Sequence, residues 1–348
     1  MQKLDAVLAE VVGKDDFSGV ILIARSGEIL CHRACGYANK ADGVPNQPDT
    51  RFGLASVTKM FTAVAVAQLV ERGLIAFEKP VIEYLPDLSD TMTDAVEVRH
   101  LLSHTSGIAD YFDEETQPDE EYAKLWQKIP SYSMRTPSDF LPLFRGQPAY
   151  HAPGARFRYS NAGYIVLGLL IEAVTGTCYT DHVTEEVFRK AGMKDSGFFE
   201  LDAVHPRVGV GYFSATTKDG DERPVWRTNQ FAIPARGGPD GGAFATAEDL
   251  RRFLEALDQG RLVGPEIGRM LMLQKSEIDE DSSYGYGFWS IRGSGGDWWT
   301  GHPGEDPGCS ARAFRRSTSG CHLVVLSNHS LGAGGPFRKL RAILEEAG

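Results

Sequence analysis

The order of patterned segments along the chain predicts an α+β fold. A helix and paired strands come first, helices fill the middle, and strands with a helix close the sequence. A sheet assembled from both ends of the chain, with a helical segment inserted between the two contributions, meets that order most simply. Two segments that are apolar nearly all round, 56–72 and 162–174, support it, since helices of that kind belong inside a fold. The division that follows is a sheet domain of residues 1–75 and 226–348 and a helical domain of 76–225, with a site between them.

The opening residues set Leu4, Val7, Leu8, Val11 and Val12 at helical spacing with charges between them, the pattern of an amphipathic surface helix. Residues 18–25 and 29–37 flank Ser26-Gly27 and read as a β-hairpin. The first apolar helix is stopped by Gly73, and the second ends before Gly176. Between 76 and 225 no long alternating strand interrupts the helical patterns. Thr246, with Asp249 three residues on, resembles a capping box that opens a helix over 246–258. Strand-like runs at 284–292, 297–301, 309–315 and 321–327 follow, then a helix over 336–347.

Composition narrows the function. The chain has 348 residues, 42% of them hydrophobic, as expected of a packed globular protein. Its net charge of -11 argues against general nucleic-acid binding, which needs a basic stripe, and against docking on anionic membranes. The longest apolar runs fall short of the roughly 20 residues of a membrane span. No basic segment followed by an apolar stretch opens the chain, so the expected location is cytoplasmic. The five cysteines, Cys31, Cys35, Cys178, Cys309 and Cys321, show no CxxC spacing and read as mostly buried thiols.

Three short motifs carry chemistry. Ser56-Val57-Thr58-Lys59 puts a hydroxyl and an amine on one helix face, at the end where free N–H groups favour negative charge. A serine needs a base, and a lysine becomes one when burial lowers its pKa. The apolar helix gives Lys59 that poorly solvated setting. Tyr159-Ser160-Asn161 precedes the second apolar helix, and i, i+2 spacing in extended backbone turns Tyr159 and Asn161 the same way. A tyrosine relays protons once a nearby cation lowers its pKa. Tyr37-Ala38-Asn39 repeats the spacing at a strand end, so spacing alone decides nothing. His302-Pro303-Gly304 follows the apparent strand 296–301.

Taken in order, Ser56-x-x-Lys59, Tyr159-x-Asn161 and His302-x-Gly304 resemble the serine β-lactamase and penicillin-binding-protein superfamily, in the branch of class C β-lactamases, DD-peptidases and related serine esterases. The surrounding segments FGLASVTKMFTA, VRHLLSHTSGI, FRYSNAGYIVLGLLIEAVTG, GGAFATAEDLRRF and GHPGEDPG agree with it. The resemblance implies an antiparallel sheet flanked by helices with an all-helical domain inserted. It also implies a serine hydrolase forming an acyl-enzyme on Ser56. Lys59 and Tyr159 would share the proton transfers, Asn161, His302 and Gly304 would bind substrate, and the N–H groups of Ser56 and Glu305 would form the oxyanion hole. No metal and no organic cofactor is called for. The partner is a small-molecule ester or amide.

One departure from the family pattern bears on the substrate. Many members carry Lys-Thr-Gly or Lys-Ser-Gly at the third motif, where cation and hydroxyl help to hold a substrate carboxylate. Here His302 takes the place of the cation, and Pro303 offers neither hydroxyl nor N–H. That favours an esterase or D-aminopeptidase-like activity over a β-lactamase or DD-peptidase, while a catalytically silent homologue used as a binding module is a further alternative. Residues 110–124 add seven acids against one base, Lys124, and are expected near the cleft mouth, favouring neutral or cationic substrates. No G-x-S-x-G, H-E-x-x-H, phosphate loop or G-x-G-x-x-G occurs. His100 and His104 read as structural, Trp298 and Trp299 as core and cleft wall, and the 237–242 stretch as a tight connection, with lining of the site as the alternative.

Overall fold

Residues 2–12, 17–215 and 225–346 are described in a computed structural model of the chain. Eight strands form the central sheet: β1 (Gly19–Arg25), β2 (Glu28–Cys35), β3 (Ser276–Glu277), β4 (Ser282–Tyr284), β5 (Trp289–Arg292), β6 (Trp298–Asp306), β7 (Cys309–Arg316) and β8 (Cys321–Ser327). Their spatial order is β2-β1-β8-β7-β6-β5-β4-β3, with every neighbouring pair antiparallel. The two ends of the chain meet where β1 pairs with β8, from Gly19 opposite Ser327 to Arg25 opposite Cys321. The sheet is antiparallel and flanked by helices, as the resemblance implied.

Strand periodicity explains why β1 and β8 are apolar throughout. Alternate side chains point to opposite faces. Val20, Leu22 and Ala24 of β1 and Val324 and Leu326 of β8 enter one core. Ile21, Ile23, Leu323 and Val325 enter a second core on the other face. That second core is closed by α1 (Gln2–Val12), through Leu8 and Val11, and by the last helix, Gly334–Glu346, through Phe337, Leu340 and Leu344. The side chains of Leu4 and Val12 lie outside the described residues, as does residue 347. The β1–β2 turn is tight because Ser26 and Gly27 both adopt positive φ, 50° and 85°, matching the strand twist.

The larger core holds α2 (Lys59–Glu71), α3 (Asn161–Thr175) and α4 (Ala247–Asp258). Gly176, at φ 67°, ends α3, and the Thr246 hydroxyl caps α4 by accepting from the N–H of Asp249 at 3.1 Å. Residues 76–211 contribute helices and turns, and a hairpin of Tyr212–Ala215 with Val225–Thr228 follows, so the boundary drawn at 225 falls within paired strands. The run 284–292 is two strands rather than one, because Gly287 (φ 82°) turns the chain between Tyr284 and its partner Trp289. Strand β6 passes Gly301 and continues to Asp306, so His302-Pro303-Gly304 lies inside the strand rather than after it. The five cysteines remain thiols: Cys31, Cys309 and Cys321 are buried and Cys178 is exposed.

Candidate active site

The segment before α2 is held from both sides. Phe52 and Gly53 pair with Ala245 and Phe244, and the N–H of Leu54 donates to the Ala243 carbonyl at 2.8 Å. Ala55 then takes φ 46°, a left-handed conformation that costs a non-glycine residue about 1 kcal/mol or more and persists only where its surroundings enforce it. Its carbonyl accepts from the Thr58 hydroxyl at 2.7 Å and from the N–H of Gly242 at 3.3 Å. Ser56 follows, half-buried, in a short 3-10 turn that leads into α2.

On the first turn of α2 the polar positions share one neighbour. Thr58 Oγ1 accepts from the N–H of Ala243 at 3.0 Å, Lys59 Nζ donates to the carbonyl of Asp240 at 2.6 Å, and Thr62 Oγ1 donates to that of Pro239 at 2.6 Å. Gly168 of α3 lets Pro239 approach, since a Cβ there would lie 2.0 Å from Pro239 Cγ. The alternative reading of the 237–242 stretch therefore holds: it lines the site and supplies an acceptor to Lys59.

Lys59 is fully buried. Its Nζ reaches Ser56 Oγ at 2.9 Å, Asn161 Oδ1 at 2.7 Å and the Asp240 carbonyl at 2.6 Å. The last two atoms only accept, so they take two N–H groups and leave one position, facing Ser56. In the neutral amine that position is a lone pair, ready for the serine proton. Burial lowers the lysine pKa, opposed by the carboxylates of Asp240, Glu114, Asp110 and Asp306.

Tyr159 joins from the other side. Its ring centroid lies 4.9 Å from Lys59 Nζ, and it borders the smaller lobe of the cleft together with Ser56. Burial, then the nearby Glu114 charge, raise the phenol pKa well above 10. The expectation that a cation would lower it is not met: burial dominates, and the phenol stays protonated. Asn161 sits in the first turn of α3, donating its Nδ2–H to Glu114 Oε1 at 2.9 Å. The Asp110 carboxylate accepts from the N–H groups of Asn161 (2.5 Å) and Ala162 (3.0 Å), and its pKa is pushed up to about 7, chiefly by burial. His104 is structural. Its Nδ1 accepts from the N–H of Ser160 at 3.0 Å, and its ring packs 4.2 Å from that of Tyr159. His100 likewise accepts from the N–H of Glu97.

Strand β6 forms the facing wall. A Cβ on Gly304 would fall 2.1 Å from the Leu54 carbonyl oxygen and 3.1 Å from the nitrogens of Ser56 and Val57, so only glycine lets β6 lie directly on the serine turn. His302 is buried, with Nε2 3.0 Å from the Tyr284 hydroxyl and Nδ1 2.5 Å from the Pro303 carbonyl. Burial, then the Lys59 charge, lower its pKa to about 3. Its place at the cleft is as expected, but as a neutral ring with both nitrogens engaged it is no substitute for the cation of Lys-Thr-Gly.

The cleft has two lobes that both border Ser56, Glu114 and Glu305. The larger, about 570 Å³, adds Tyr111, Asp240, Asp306 and apolar walls. The smaller, about 380 Å³, adds Tyr159, Trp289, His302 and Gly304. Trp289 is therefore the cleft tryptophan, while Trp299 is buried in the second core. The acidic tract divides. Glu114 borders both lobes, while Asp113 pairs with Arg158, and Glu115, which borders the smaller lobe, pairs with both Arg156 (2.9 Å) and Arg158 (3.0 Å), bases more than 40 residues away in sequence. Asp240, whose carboxylate accepts from the Tyr111 hydroxyl, and Asp306, pushed up to about 7 by burial and the Asp240 charge, are site acids that sequence reasoning did not single out. The only signal for Asp240 is an acid set between glycine pairs.

The β-lactamase family profile matches residues 4–348. The fold superposes on a penicillin-binding protein from Bacillus halodurans with a TM-score of 0.88, at 36% identity, covering 99% of this chain and 100% of that one. Esterase EstB of Burkholderia gladioli is 32% identical over 285 residues, 73% of this chain and 69% of its own. Penicillin-binding protein 4* of Bacillus subtilis is 29% identical over 333 residues, 92% of this chain and 70% of its own. D-amino acid amidase from Ochrobactrum anthropi SV3 shares the fold, with a TM-score of 0.81 at 24% identity, covering 100% of this chain and 99% of that one.

Proposed function

Because the chain belongs to the β-lactamase family, a family of serine hydrolases, we propose that it hydrolyses small esters or amides through an acyl-enzyme on Ser56. The observation that carries this reading is the set of three atoms around Lys59 Nζ. Ser56 Oγ attacks the carbonyl carbon as its proton passes to neutral Lys59. The developing oxyanion is met by the N–H groups of Ser56 and Glu305, and loss of one such donor typically costs about two to three powers of ten in rate. The tetrahedral intermediate collapses, breaking the bond to the leaving oxygen or nitrogen. That atom takes a proton from Tyr159, which Lys59 restores. Water then attacks the acyl-enzyme by the same steps, while Asn161 orients Lys59 and the substrate carbonyl.

The exposed Glu114 carboxylate, which borders both lobes, favours neutral or cationic substrates. The neutral His302 supplies no charge for a carboxylate. Both support an esterase or D-amino-acid amidase activity. A penicillin-binding or β-lactamase activity is the second reading, favoured by the 36% identity to the B. halodurans penicillin-binding protein. A panel of p-nitrophenyl esters, D-amino-acid amides and nitrocefin separates them. Turnover of an ester or amide, absent in Ser56→Ala, with little nitrocefin hydrolysis, supports the first reading. Efficient nitrocefin turnover or stoichiometric acylation by penicillin transfers the assignment to the second.

A further inference from the structure

One wall of the larger lobe is made by a residue in an unfavourable state. Leu331, in the loop between β8 and the last helix, has φ 59° and is 75% exposed, with its side chain at the cavity. A single exposed leucine is ordinary. A leucine that is both exposed and left-handed is not, because each feature disfavours that residue and a glycine or asparagine would relieve both.

The surroundings enforce this conformation. Glu305, which also borders both lobes, accepts from the N–H of Leu331 at 3.2 Å through Oε2. Its Oε1 accepts from Ser310 Oγ at 2.9 Å and pairs with Arg312 at 2.7 Å. Ser310 Oγ in turn accepts from the N–H of Ala333 at 2.9 Å, and Ser330 Oγ accepts from that of Gly308 at 2.8 Å. The loop is therefore fastened on both sides of Leu331, leaving its side chain bare. Strain held in this way, at a cavity beside a nucleophile, is the observation from which function is inferred.

Which half of a substrate meets Leu331 follows from proton traffic. When the bond from the acyl carbon to the leaving atom breaks, that atom must lie beside the group that protonates it. Tyr159 borders the smaller lobe and not the larger. The leaving group then departs through the smaller lobe, past Trp289 and Phe157, and the acyl group stays in the larger. We propose that Leu331 is a specificity-determining residue that packs on the acyl chain of the substrate, so that the enzyme selects apolar acyl groups longer than acetyl. This rests on the acyl-enzyme reading above.

The test compares wild type with Leu331→Asn, which keeps a residue tolerant of positive φ while removing the apolar surface, and with Leu331→Ala. The substrates are p-nitrophenyl acetate, butyrate and hexanoate, beside acetate esters of phenol and naphthol. One methylene in an apolar pocket is worth about tenfold or more. Both variants are therefore expected to lose about tenfold in kcat/KM on hexanoate, with acetate and the leaving-group series unchanged. An equal loss at every acyl length, as a purely structural role would give, overturns the proposal, and so does a loss that follows the leaving group. Ser56→Ala is measured on the same plates. Full turnover by that variant, or none by wild type, overturns the acyl-enzyme reading itself, whatever Leu331 does.

Discussion

Substituting Gly304 by alanine should damage catalysis far more than stability. The added Cβ would stand 2.1 Å from the Leu54 carbonyl oxygen. A carbon and a carbonyl oxygen rest at about 3.3 Å or more, so β6 or the serine turn must yield by about 1.2 Å. Both elements belong to the proposed oxyanion site, and a misplacement of about 1 Å costs on the order of 100-fold in rate. The expected result is a fall in kcat of about two powers of ten, or about 2.7 kcal/mol of transition-state stabilisation, with KM little changed. The assay is steady-state hydrolysis of a p-nitrophenyl ester, with thermal melts alongside. Gly301→Ala is the control: its Cβ would lie 2.0 Å from the Ala313 carbonyl, a comparable clash on the same strand away from Ser56. If Gly304→Ala keeps kcat within about threefold of wild type, or loses no more than Gly301→Ala, the reasoning from the close approach is refuted.

Three further outcomes are expected. Asp240→Asn removes a charge that raises the Lys59 pKa, so neutral lysine persists to lower pH and the acid limb of kcat/KM against pH moves down; an unmoved or upward limb contradicts the base assignment. Tyr284→Phe removes the donor to buried His302 Nε2 and should cost about 1–3 kcal/mol in urea unfolding with the m-value unchanged. Glu114→Gln should raise kcat/KM for an anionic ester at low salt, an effect that fades as salt screens the cleft; equal values across ionic strengths contradict it.

Local spacing made half of the site legible. Ser56 and Lys59 share a helix face, and Tyr159 and Asn161 stand together before a helix, so motif and geometry coincide. Asp240 was illegible because its contact to Lys59 is a backbone carbonyl 181 residues away, which no residue type announces. Its carboxylate lies against Tyr111 through the same long-range folding. The loss of the third-motif cation was legible in the sequence, but the full neutrality of His302 was not, because burial sets it and no motif announces burial. Strand β6 was cut short at Gly301 because proline demotes a strand, whereas here Pro303 stands opposite Arg312 in the ladder. The acidic tract illustrates the limit of counting charge locally, since Arg156 and Arg158 neutralise Asp113 and Glu115 from a distant segment.

The most direct measurement is intact mass of the protein quenched within seconds of mixing with a p-nitrophenyl ester, followed by peptide mapping. Acyl transfer to Ser56 predicts a mass increase equal to one acyl group, mapped to the peptide containing Ser56-Val57-Thr58-Lys59, and absent in Ser56→Ala. Ester turnover with no adduct at Ser56, an adduct on another residue, or full turnover by Ser56→Ala would contradict it.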